Sequence, residues 1–70
     1  MHRRIDKEAL SNRERDTLVA IAKGMTSRQV ASELGITHST AETYIKRLYI
    51  RLGVSGRALA ALEAQRRGLV

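Results

Sequence analysis

Residues 26–52, TSRQVASELGITHSTAETYIKRLYIRL, decide the fold. Thr26-Ser27-Arg28-Gln29 has the form of a capping box, in which the first hydroxyl and the fourth side chain each satisfy a free backbone N–H at a helix start. It predicts a short helix over about 27–34, with Val30, Ala31 and Leu34 turned inward. Gly35 then supplies the positive φ that a three- or four-residue turn needs. Ile36 can plug the core from that turn, and Thr37 is a good N-cap for the next helix. Across 38–52, Ala41, Ile45, Leu48 and Leu52 fall at i, i+4, i+7 and i+11, which is one face of a helix. Gly53 stops it, and the small Ala31 lets the two helices cross closely. Short helix, tight turn and longer helix together describe a helix-turn-helix. In proteins that use this unit on DNA, the second helix enters the major groove by its N-terminal half. Two helices at an angle also occur in proteins that never touch nucleic acid.

Upstream, Leu10 precedes Ser11-Asn12-Arg13-Glu14, a second capping box that predicts a helix over about 12–23. Thr17, Leu18, Ile21 and Ala22 form its inward stripe. Lys23 is a cation near its negative end, and Gly24 suits the left-handed position that closes it. Residues 1–9, MHRRIDKEA, read as a polar arm or linker stub. Downstream, about 57–67 reads as an alanine-rich helix whose only large apolar residues are Leu59 and Leu62, with Gly68 after it. With no strand pattern or repeat, the expectation is an all-α four-helix bundle containing a helix-turn-helix, formed by residues 10–70 as one domain.

Composition narrows the function. A 70-residue chain makes one domain and buries only about 60% of its unfolded surface. Thirteen Lys and Arg against seven Asp and Glu give +6, which favours a polyanionic partner. Charge alone does not choose between DNA, RNA, an anionic membrane and an inert basic surface. The absence of cysteine removes disulfides and thiolate metal sites, and His2 and His38 have no co-ligand spacing. The chain has no nucleophile–base pair and no Gly-rich phosphate loop, so neither an enzyme nor a cofactor is expected. Its longest apolar stretch, around Leu18 to Ala22, is far short of the roughly 20 residues of a membrane span. Met1-His2-Arg3-Arg4 leads into charge, unlike a signal peptide, so a cytoplasmic, nucleoid-associated chain is expected.

Several anchors at fixed spacing then carry a resemblance. These are Leu10-Ser11-x-Arg13-Glu14-x-x-x-Leu18, Gly24-Met25-Thr26-Ser27-Arg28-Gln29-Val30-Ala31, Leu34-Gly35-Ile36-Thr37-x-x-Thr40-Ala41-x-Thr43, and Leu52-Gly53-Val54. From about Leu10 to Val70 the chain resembles the LuxR-type (NarL/FixJ, GerE-like) helix-turn-helix DNA-binding domain. The resemblance implies a transcription regulator that binds double-stranded DNA at a roughly palindromic operator as a homodimer, with RNA polymerase as a further candidate partner. Sigma-factor region 4 has a similar central segment but lacks the Leu52-Gly53-Val54 turn into a fourth helix.

Carried over by position, Glu42, Thr43 and Lys46 fall where such domains face bases, and the helical wheel points them away from the 41/45/48/52 stripe. His38 and Ser39 reach bases or phosphate from the first turn, and Ser27 and Arg28 match positions that grip the backbone. Thr40, Arg47 and Arg57 are further phosphate candidates. Lys46 can also be an ordinary solvated lysine. Glu42 departs from the family, which more often places a basic or neutral residue there. It either accepts from cytosine N4 or pairs with Lys46 at i, i+4. Tyr44 is a half-buried packing residue or a backbone contact through its hydroxyl. Glu14 serves the capping box or forms a buried pair with a basic residue of another helix.

The family register sets Ala60, Ala61 and Ala64 against the first helix, leaving Leu59 and Leu62 outward beside Glu63 and Arg66 as a two-fold interface. A rotated helix with both leucines in the core is the alternative. So is a different function for this surface: a protein-interaction module that heterodimerises with a longer regulator through helix 57–67.

Overall fold

A computed structural model describes residues 9–70, so most of the expected 1–9 arm lies outside the described residues. The chain forms α1 (Asn12–Ala22), α2 (Ser27–Leu34), α3 (His38–Leu52) and α4 (Arg57–Arg66), with no strand among the described residues. Each start has its chemical reason. Ser11 Oγ accepts from the Glu14 N–H at 3.0 Å while Glu14 Oε1 accepts from the Ser11 N–H at 2.8 Å. Thr26 and Gln29 repeat that exchange at 3.1 and 2.8 Å, and Thr37 Oγ1 accepts from the Thr40 N–H at 3.1 Å. The first and last helices stop one residue before the expected ends, because Lys23 and Arg67 are the C-caps.

Gly35 adopts φ 70° and ψ 36°, and the Ile36 N–H turns back to the Ala31 carbonyl at 2.9 Å. That closes α2 and sends Ile36 inward, so the turn is fixed by backbone geometry and by burial together.

The core has two parts. Leu18, Ile21, Leu48, Ala60 and Ala64 form one, under α4. Ala20, Val30, Ala31 and Ala41 form the other, beneath the α2–α3 crossing. Ile45 packs against both. Leu18, Ile21, Val30 and Leu48 are its largest fully buried apolar side chains, each contributing about 1.5–3 kcal/mol by leaving water. The buried Thr17 hydroxyl is satisfied by the Arg13 carbonyl at 2.8 Å.

Ala60 and Ala64 are the buried residues of α4, which brings that helix close to α1. Leu59 and Leu62 stay 47% and 58% exposed. The rotated register, with both leucines inside, is therefore not the one adopted.

Polar ties also join the helices. Arg13 donates to the Leu34 carbonyl at 3.2 Å and lies over the Tyr44 ring at 5.9 Å, linking α1 to the end of α2 and to α3. Arg51 on α3 pairs with Glu14 at 3.2 Å, and Arg57 donates to the Ile21 carbonyl at 3.1 Å. Glu14 thus serves the capping box and also pairs with Arg51, although that pair is partly exposed and not the buried one considered.

Candidate nucleic-acid interface

The two sides of α3 divide the labour. Ala41 and Leu48 are buried and Ile45 and Leu52 partly so, while Ser39, Glu42, Thr43, Lys46 and Arg47 are exposed. Beside that outer side runs an open groove of about 600 Å³. It is lined by Ser39, Glu42, Thr43, Ile45, Lys46 and Tyr49 from α3, by Ser27 at the start of α2, and by Arg57 at the start of α4. Six of the sequence-predicted contact residues are therefore neighbours along one groove, although they come from three helices.

The remaining candidates are distributed differently. Arg47 lies on the opposite flank, in a smaller groove with Arg13 and Tyr44. Arg28 is exposed but lines neither groove. Thr40 is partly buried, and its hydroxyl receives the Thr37 O–H at 2.9 Å. Thr43 is exposed and donates back to the Ser39 carbonyl at 3.2 Å. Arg57 lines the groove and donates to the Ile21 carbonyl.

His38 has a place the sequence did not disclose. Its Nε2 is 2.7 Å from Ser27 Oγ and 3.4 Å from Glu42 Oε2. The Glu42 carboxylate pairs back along α3 with His38 and not forward with Lys46. Its side chain nevertheless stays 62% exposed, on the outer side of the helix. The i, i+4 spacing of His38 and Glu42 is local, but the Ser27 contact has no local signal, because it depends on how α2 docks on α3.

On α4, Glu63 is held by Arg66 and by Arg67, the latter at 2.8 Å. Hydrogen bonding from Arg66 first, then from Arg67, outweighs burial and holds the Glu63 carboxyl below the ordinary value of 4.5. Among the described residues, no cluster of three or more His, Cys, Asp or Glu could hold a metal, and no helix is long and apolar enough to cross a membrane.

Residues 8–64 match the family model of bacterial regulatory proteins of the luxR family. The chain belongs to this family. Spore germination protein GerE of Bacillus subtilis is 36% identical over 62 residues, covering 89% of this chain and 84% of that protein. The probable transcriptional regulatory protein NarL of Mycobacterium tuberculosis is 48% identical over 61 residues, 87% of this chain and 28% of that protein. The probable transcriptional regulatory protein SgaR of Hyphomicrobium methylovorum is 47% identical over 53 residues, 76% of this chain and 25% of that protein. This luxR-family chain thus spans about a quarter of the length of such longer relatives. The four helices are the family's helix-turn-helix domain, a DNA-binding unit of transcription regulators.

Proposed function

We propose that the chain binds a roughly palindromic operator as a homodimer, with α3 in the major groove and half-sites about 10 bp apart, and so regulates transcription at the nucleoid. Glu42, Thr43 and Lys46 read bases, while Ser27, Arg28, His38, Ser39, Thr40, Arg47 and Arg57 hold the sugar-phosphate backbone. The observation that carries this reading is the groove in which Ser27, Ser39, Glu42, Thr43, Lys46 and Arg57 converge beside the exposed side of α3. Phosphate contacts set position and base contacts set sequence, so both kinds of residue are needed on one surface. No cofactor is required. RNA polymerase is a second protein partner once the operator is occupied.

Titrating the chain with a selected operator at several salt concentrations tests this. Affinity should fall log-linearly with salt, and Lys46→Ala should either reduce the slope by about one or remove base preference. Salt-independent binding, or equal affinity for scrambled DNA, refutes the reading.

The exposed Leu59 and Leu62, flanked by Glu63 and Arg66, favour a second role for α4. It is the two-fold interface of the DNA-bound homodimer. Heterodimerisation with a longer regulator through the same helix is the competing use. Co-purification with such a partner and no gel shift by the chain alone would select it.

A further inference from the structure

Glu42 is out of keeping with its surroundings. It is an exposed carboxylate on the side of α3 that carries Ser39, Thr43 and Lys46, in a chain of net charge +6. Facing phosphates, a carboxylate costs affinity unless it accepts a hydrogen bond from a base. In the major groove the available donors are cytosine N4 and adenine N6. Guanine O6 and N7 and thymine O4 are acceptors, and adenine N7 stands beside its own N6. An acceptor-only group is therefore best matched by cytosine.

The geometry also shows what stands beside the carboxylate. One ring nitrogen, His38 Nε2, faces both Glu42 Oε2 at 3.4 Å and Ser27 Oγ at 2.7 Å. The nearby carboxylate favours the tautomer with the proton on Nε2, in which Ser27 Oγ accepts. The Ser27 hydroxyl proton is then left free to donate to a phosphate oxygen in the groove that Ser27 and Glu42 both line. A base acceptor and a backbone donor, on two different helices, are joined through one imidazole.

We propose that Glu42 selects cytosine at one position of the bound site, and that His38, anchored on Ser27, is the positioning residue that aims it. This rests on the DNA-binding reading above. The test is selection from random double-stranded DNA by the 70-residue chain and by E42Q, H38L, H38Q and S27A. Helix content and low-salt binding to a scrambled duplex are measured for each variant.

The wild type should prefer cytosine at one position by about 5- to 150-fold, the range for a single mismatched pair. E42Q should move that position alone toward adenine, which an amide recognises through N6 and N7. H38L should flatten the cytosine preference. H38Q should restore part of it, because its amide can donate from the same side. S27A, which removes the anchor together with a phosphate contact, should lower it, with the general loss of affinity read from the scrambled duplex. An unchanged cytosine preference in E42Q overturns the proposal, as does a wild-type profile in H38L. If H38L loses helix content, a wild-type profile in S27A overturns it instead. Salt-dependent binding without a cytosine position sinks this inference alone; no DNA binding by the wild type sinks the functional reading as well.

Discussion

Gly35→Ala isolates one physical effect in the turn that aims α3. Gly35 sits at φ 70°, and a Cβ built there meets nothing within 4 Å, so alanine adds backbone strain without a clash. The left-handed conformation costs an L-residue about 1–2 kcal/mol. Alanine also has less unfolded-state freedom to lose, which returns about 0.4–1 kcal/mol. The net loss is about 1 kcal/mol, against a total of roughly 3.5–10 kcal/mol expected for 70 residues. Melting followed by circular dichroism should show Tm lowered by about 4–8 °C. Gly35→Asn should lose less, because its short polar side chain bonds locally in that conformation. A Tm unchanged or raised in the alanine variant refutes the strain argument. A fall beyond about 15 °C refutes the open space around the Cβ.

Leu18→Ala removes one of the fully buried side chains and should cost about 2–5 kcal/mol by urea denaturation; a loss below about 1 kcal/mol would mean α1 is not central to the core. Glu63 is held ionised by Arg66 and Arg67, so its depressed value contributes stability above pH 4.5 that is lost as pH falls through the folded-state value. Glu63→Gln should flatten the acid side of the stability profile, and an identical acid loss in both proteins contradicts the assignment. Leu59→Asp with Leu62→Asp should reduce the protein-to-DNA stoichiometry in sedimentation while each exposed change moves stability by only about 0.5 kcal/mol. A large drop in Tm would show instead that the leucines stabilise the fold.

The helices were legible because their signals are local. Ser11 and Glu14, Thr26 and Gln29, and the glycines at 35 and 53 act over three or four residues, and the structure uses each of them as the spacing predicts. The outward placement of Leu59 and Leu62 also followed, from family register and not from the wheel, since alanines outnumber the large apolar residues of α4. Contacts between helices were not legible. Arg13 with Leu34, Arg57 with Ile21, and Ser27 with His38 join residues 11 to 36 apart, and each depends on crossing angles that no periodicity encodes, as does the choice of Arg51 as the partner of Glu14. The i, i+4 rule allowed Glu42 to pair in either direction along α3. The position of His38 beside α2 decided for the earlier turn.

The divided core has a consequence for cooperativity. α4 is anchored through the cluster around Leu18 and Leu48, and α2 through the cluster around Val30 and Ala41. Each outer helix can therefore open without breaking the other's packing, so native-state hydrogen exchange should resolve two sub-global openings below the global one. Ile45 is where these openings meet, because it contributes to both clusters. Truncating it should accelerate exchange in α2 and α4 together. A partner that clamps α4 would slow exchange there first, reach α3 next through Leu48 and Ile45, and reach α2 last.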